Sequence, residues 1–205
     1  GAVVDLEWFT AELRKEWMIQ ERGILGPPGH PGTVQEMRHL NRIICWDRDG
    51  ITWESDPRHA DLIIQDLGIT KSAVTTPLEK EKVSALENDE EDVELSEEDT
   101  KRYQSMTMRA GYLAQDRTDL QRTVRELAKG MKQPMVRHWA MLKRLGRFLL
   151  GHPRVVQRLA YQDSFTHLTM FCDSDHAGCI RTRKSTSGAV AVIGKSQVRS
   201  LCRGQ

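Results

Sequence analysis

The sequence predicts an α+β protein whose helices and strands fall in separate parts of the chain. Three observations carry this. Two β-rich runs, Ile43-Ile44-Cys45-Trp46 and Ile51-Thr52-Trp53, flank Asp47-Arg48-Asp49-Gly50 and read as a β-hairpin with a loop of about four residues. Between residues 101 and 152, apolar side chains recur at spacings of three and four in three stretches divided by short breaks, the pattern of a three-helix bundle. From Val155 onward short apolar runs alternate with turn residues, which reads as an antiparallel strand meander.

Taken in order, Asp5 to Trp17 sets Leu6, Phe9, Leu13 and Trp17 along one side of an amphipathic helix. Gly26-Pro27-Pro28-Gly29-His30-Pro31-Gly32 is a loop, because its prolines lack donors and its glycines lack side chains to pack. After the hairpin, Asp56 stands as N-cap and Pro57 as first residue of a helix that Gly68 ends. Ala60, Ile63, Ile64 and Leu67 form its buried side. Glu79 to Asp99 has too few apolar anchors to offset the entropy of ordering, and is expected to be mobile as far as Glu94. Ser96-Glu97-Glu98-Asp99 then caps a new helix striped by Tyr103, Met106, Ala110 and Leu113. A break at Gln115-Asp116-Arg117 precedes a second helix with Leu120, Val124, Leu127 and Met131. Gly130 and Pro134 divide it from a third with Trp139, Leu142, Leu145 and Leu149, and Gly151-His152-Pro153 closes the bundle. Helices joined this shortly bury their stripes together.

At 205 residues and 39% apolar the chain can bury a real core. A mean hydropathy of −0.54 and the lack of any apolar run near 18 residues exclude a membrane span. No basic N-terminal region or cleavage pattern marks a secretory signal, and four scattered cysteines do not make a disulfide scaffold. A cytoplasmic or nuclear protein is expected. The net charge of +1 conceals an asymmetry. Residues 1–78 carry 8 Lys/Arg against 12 Asp/Glu, residues 79–100 carry 2 against 11, and residues 101–205 carry 20 against 6. A basic C-terminal half joined through an acidic strap points to a polyanionic partner.

The chemistry concentrates in two places. Asp173 and Asp175 lie two apart at the end of the Leu168–Cys172 run, so on a strand both side chains take the same face. Carboxylates at a strand end beside basic residues suit a divalent metal; the alternatives are a turn cap for Asp173 and a surface turn residue for Asp175. Cys172, His176 and Cys179 lack a fourth ligand at suitable spacing and read as a core cysteine plus turn residues rather than a zinc site. The second place is the basic surface. Arg117, Arg122, Arg125, Lys129 and Lys132 decorate the second helix of the bundle, and Arg137, Lys143, Arg144 and Arg147 the third. Arg181, Arg183 and Lys184 follow the carboxylate pair. Such side chains contact phosphates without reading sequence. Trp46 and Trp53 are either packed across the hairpin or available to sugar and bases.

Several of these words resemble a known family in its own order. D-S-D-x-A-G, T-R-K-S-T-S-G and Q-V-R-S resemble the opening of the ribonuclease H domain in copia-type LTR retrotransposon polyproteins. Gly111 to Gly151 resembles that family's helical segment between polymerase and ribonuclease H, Leu40 to Gly68 its hairpin and helix after the polymerase palm, and Gly1 to Ile19 the palm's end. The resemblance divides the chain into a palm end with hairpin and helix (1–78), an acidic linker (79–100), a helical thumb and connection (101–152), and the first strands of an incomplete ribonuclease H-like domain (153–205). It implies RNA-directed DNA synthesis and RNA–DNA hybrid cleavage for the parent, with Mg²⁺ as its cofactor. It assigns Asp173 as an inherited metal ligand, with Asp175 the weaker candidate, and the hairpin as a primer grip. His176 stands where the family more usually has Trp, and Thr118 where it has Pro. No Y-x-D-D string occurs, and the later carboxylates of a two-metal site are absent, so this piece is expected to bind RNA–DNA hybrid or primer-template without metal or turnover. The rest of the polyprotein is a further expected partner; a non-catalytic nucleic-acid-binding protein and an inactive translated remnant are the alternatives.

Overall fold

The computed structural model describes residues 3–79, 93–162, 167–179, 182–194 and 196–204, the last of these as backbone. The chain is α+β, with helices α1 (Val3–Glu16), α2 (Arg58–Asp66), α3 (Glu97–Leu113), α4 (Gln121–Lys129) and α5 (Val136–Gly151). Nine strands accompany them among the described residues: β1 (Ile24–Leu25), β2 (Thr33–Val34), β3 (Glu36–His39), β4 (Arg42–Asp47), β5 (Gly50–Glu54), β6 (Val156–Ala160), β7 (Leu168–Asp175), β8 (Thr186–Ile193) and β9 (Ser196–Gly204). Most of the acidic stretch expected to be mobile, residues 80–92, lies outside the described residues. None of the described helices is long and apolar enough to cross a membrane.

The helical core follows the periodicity. Tyr103, Met106, Ala110 and Leu113 of α3 are buried against Leu120, Leu127, Leu142, Leu145 and Leu149. Each such leucine, removed from water, stabilises the fold by about 1.5–3 kcal/mol before entropy is counted. Ser96 caps α3, its Oγ accepting the Asp99 N–H at 3.1 Å. One helix more than expected shares this core. Ala60 and Ile63 of α2 are fully buried in the same cluster, so the helix assigned to the first block packs on α3 and α5. Pro57, expected as its first residue, stands at the N-cap instead, with Asp56 one residue ahead accepting the Arg58 N–H at 3.1 Å, and Gly68 ends the helix at φ +63°.

The hairpin forms with β4 and β5 antiparallel, but its loop is shorter than expected. Asp47 pairs with Gly50, leaving only Arg48 and Asp49 to turn. Gly50 belongs to the strand for a packing reason: a Cβ there would stand 2.3 Å from the Leu159 carbonyl oxygen. That close approach comes from β6, which pairs antiparallel with β5 in the register Gly50↔Ala160 to Glu54↔Val156. Residues 156–160, grouped by sequence with the C-terminal strands, thus complete a four-stranded sheet β3-β4-β5-β6. The reason is long-range pairing, which local texture cannot express. The meander itself is the three-stranded sheet β7-β8-β9. Helix α1 forms as expected, yet Leu6, Phe9 and Trp17 are exposed among the described residues.

Candidate nucleic-acid interface

α4 turns one side inward and one outward. Thr123 and Leu127 are buried, so residues 122, 125 and 129 fall on the other side at helical spacing. Arg122 and Lys129 are exposed there, and Lys129 holds Glu126 Oε2 at 2.5 Å. Arg125 is half-buried, with its Nη1 sealed from solvent and without a hydrogen-bond partner. This row borders the connection between β7 and β8. Arg122 Nη2 lies 3.8 Å from Asp175 Oδ2, and Lys129 Nζ lies 4.0 Å from Cys179 Sγ. The connection is closed by backbone bonds: Arg183 N–H donates to the Cys179 carbonyl at 2.8 Å, and Cys179 N–H to that of Lys184 at 3.2 Å. Arg183 and Lys184 are both exposed on it. The fold therefore gathers Arg122, Lys129, Arg183 and Lys184 around one turn, although 62 residues separate the first from the last. Arg181 lies outside the described residues.

The other basic residues are placed differently. Lys132 and Lys143 are exposed, and Arg137 is half-buried. Arg144 reaches back to the start of the acidic stretch and the residues just before it, with Nη1 3.1 Å from Glu79 Oε2 and Nη2 donating to Thr76 Oγ1 at 2.9 Å. Arg147 is half-buried, and its carbonyl accepts the Val74 N–H at 3.4 Å. Arg117 corrects the sequence reading. Its side chain is 1% exposed, held by Asp119 Oδ2 at 2.6 Å and donating to the His152 carbonyl at 2.7 Å. It lies over the Phe148 ring as well, 5.9 Å from the centroid. Enclosed at the end of α5, it cannot reach a phosphate.

The carboxylates do not converge. Asp173 is exposed on β7 opposite Gly188. Asp175 is half-buried, its Oδ1 accepting the Thr186 N–H across the strand pair. Among the described residues no three His, Cys, Asp or Glu side chains gather where they could hold a metal ion. These residues do not fit a two-metal Mg²⁺ centre, which needs several shared carboxylates. Cys172 is a second correction: it is exposed rather than core.

The hairpin's tryptophans are packed to different degrees. Trp46 is half-buried opposite Ile51. Trp53 donates from Nε1 to Asp116 Oδ1 at 3.1 Å and stacks under the Arg42 guanidinium, 5.8 Å from its ring centroid. Asp116 was legible only as a helix break, yet it joins sheet to bundle. Arg42 Nε donates to its Oδ2 at 2.7 Å, and Gln157 Nε2 donates to its carbonyl. Arg42 also lies over Tyr112, whose hydroxyl donates to the Leu40 carbonyl at 3.0 Å. The hairpin's remaining carboxylates are all matched by arginine: Glu54 by Arg154 at 2.6 Å, Asp56 by Arg58 at 2.6 Å, and Asp47 and Asp49 by Arg158 at 3.0 and 3.1 Å.

Comparison with known proteins gives one limited likeness. No family model matches the chain, and no solved structure matches it. Over 86 residues it is 33% identical to the uncharacterized mitochondrial protein AtMg00810 of Arabidopsis thaliana, a match that takes in 40% of this chain. It spans 34% of that protein's length.

Proposed function

We propose that this chain is a piece of a copia-type retrotransposon polyprotein, from the end of the reverse transcriptase into the start of ribonuclease H. Its own part in that parent activity is to hold the backbone of an RNA–DNA hybrid or primer-template. The family reading rests on the four ordered sequence blocks. The binding reading rests on one observation: Arg122, Lys129, Arg183 and Lys184, drawn from α4 and the β7–β8 connection, border a single turn. Exposed cations so grouped neutralise adjacent phosphates and release counterions, an affinity that carries no sequence information. In this reading the chain's own contribution is binding; among the described residues no three His, Cys, Asp or Glu side chains gather where they could hold a metal ion.

The test is a fluorescence-anisotropy titration of a labelled RNA–DNA hybrid at several salt concentrations. Affinity should fall steeply with salt and differ little between sequences. The double variant Arg122→Ala, Lys184→Ala should weaken binding to every sequence alike and flatten the logarithmic salt slope by about 1–2. Binding that ignores salt, or is unchanged in the double variant, would refute the reading.

A further inference from the structure

An arginine's Nε–H and the Nη2–H beside it point the same way and match two oxygens of one carboxylate or phosphate. Arg58, Arg117 and Arg154 each use that fork in full, on the two carboxylate oxygens of Asp56, Asp119 and Glu54. Arg144 does not. Its Nη2 donates to a single hydroxyl, Thr76 Oγ1, at 2.9 Å, and its Nε is sealed from solvent with no hydrogen-bond partner. A sealed donor with no acceptor carries a free-energy cost that a second oxygen at that place would remove. The hydroxyl on the fork belongs to Thr75-Thr76-Pro77. Thr76 is exposed, in a segment without helix or strand. Pro77 biases the residue before it to an extended backbone, the form in which a peptide lies in a kinase cleft.

We propose that Thr76 is a phosphorylation site for a proline-directed kinase, with Arg144 as the receptor for the phosphate. Thr76 Oγ1 attacks the γ-phosphorus of Mg·ATP. The new O–P bond forms as the bond to the β–γ bridging oxygen breaks, ADP leaves, and the hydroxyl proton passes to the kinase's base. Two phosphoryl oxygens then take Nη2 and Nε together, a charge-assisted bidentate pair in place of one hydroxyl. The group brings a charge of about −1.5 to −2. Among the described residues Glu79, 3.1 Å from Nη1, is the carboxylate it meets on this guanidinium; Lys143 beside Arg144 and Arg147 one turn on offset the added charge. Modification thus fastens this segment to α5, where the Val74 N–H already meets the Arg147 carbonyl at 3.4 Å.

The test treats the whole chain with a purified mitogen-activated protein kinase and Mg·ATP and maps the product by tandem mass spectrometry. Phosphate is expected on Thr76 and not on Thr75. Phosphorus NMR then reads the receptor. Pairing with Arg144 should pull the second ionisation of the phosphothreonine below its ordinary value of about 6, and Arg144→Gln should restore that value. Arg144→Lys, which keeps the charge without the fork, should restore part of it. No phosphate on Thr76, or the same ionisation in the wild-type and Arg144→Gln chains, would overturn the proposal. Far-UV circular dichroism checks each variant; were Arg144→Gln unfolded, Arg144→Lys decides, and an ionisation unchanged there counts against the receptor. Inorganic phosphate separates a covalent group from a free one. If it raises the urea midpoint of Thr76→Val, and not that of the same chain carrying Arg144→Gln, the fork serves free phosphate and the proposal falls. Hybrid binding weakened as much by Arg144→Gln as by Arg122→Ala would assign the fork to a nucleic-acid phosphate and overturn it as well.

Discussion

Arg42 and Asp116, 74 residues apart in sequence, meet through a 2.7 Å ion pair that is 11% exposed on each side. The pair fastens the start of β4 to a residue three positions past α3, and Trp53 takes the other carboxylate oxygen. The orientation of the hairpin sheet on the helical bundle thus depends on one carboxylate with both oxygens occupied.

Removing that carboxylate strands a guanidinium in a poorly solvated place. Asp116→Ala should lower stability by about 3 kcal/mol, the usual cost of breaking a largely buried pair. In a double-mutant cycle with Arg42→Ala, measured by urea unfolding, the two losses should fall short of additive by about 1–2 kcal/mol. Additive losses would mean the pair is incidental.

The acid limb of stability should depend on Asp56. The Arg58 guanidinium, hydrogen-bonded to its carboxylate, holds it below the ordinary range. A depressed folded-state pKa contributes stability above the unfolded value, near ~3.9, and loses it as pH falls from there through the folded value. Urea unfolding followed from neutral to acid pH should show a shallower decline below about pH 4 in Asp56→Asn, which keeps an acceptor for the Arg58 N–H but cannot ionise.

At the alkaline end the group to watch is Tyr103. Burial pushes its hydroxyl up to about 12, and it donates to the Leu127 carbonyl at 2.5 Å. A raised folded-state pKa gives stability that is complete below the unfolded value, near ~10, and is lost as pH rises through the folded one. Tyr103→Phe should cost about 1 kcal/mol at neutral pH for the deserted carbonyl. Its alkaline unfolding curve should lack the part of the decline that begins near ~10.

Two arginines that look alike in sequence should behave oppositely. Arg117→Ala removes a buried guanidinium with two protein partners and should cost about 2–4 kcal/mol in thermal or urea unfolding, with hybrid binding by the folded fraction unchanged. Arg122→Ala removes an exposed one and should move stability by no more than about 0.5 kcal/mol while weakening the hybrid. The reverse pattern would mean the interface has been put on the wrong face.

The sequence by itself determined the α+β class, the presence and order of α2 to α5, the hairpin and the three-stranded meander. These depend on local periods: the stripe Tyr103, Met106, Ala110, Leu113 is buried because every third or fourth residue of a helix shares a side. The Ser96 cap was legible for the same reason, being a contact between near neighbours in the chain. What only the tertiary structure decided is who covers whom. Nothing near Gly50 announces that Leu159 will crowd it, nothing around Val156 says that it will pair with Glu54, and Arg117 differs from Arg122 only in what α5 lays over it. The basic cluster belongs to this second kind, since Arg122 and Lys129 border the β7–β8 connection that carries Lys184 only because α4 lies beside it. Periodicity reports which side of an element is apolar; the identity of the surface that meets it is set by pairings across a hundred residues of chain, where a residue's own neighbours carry no trace of its partner.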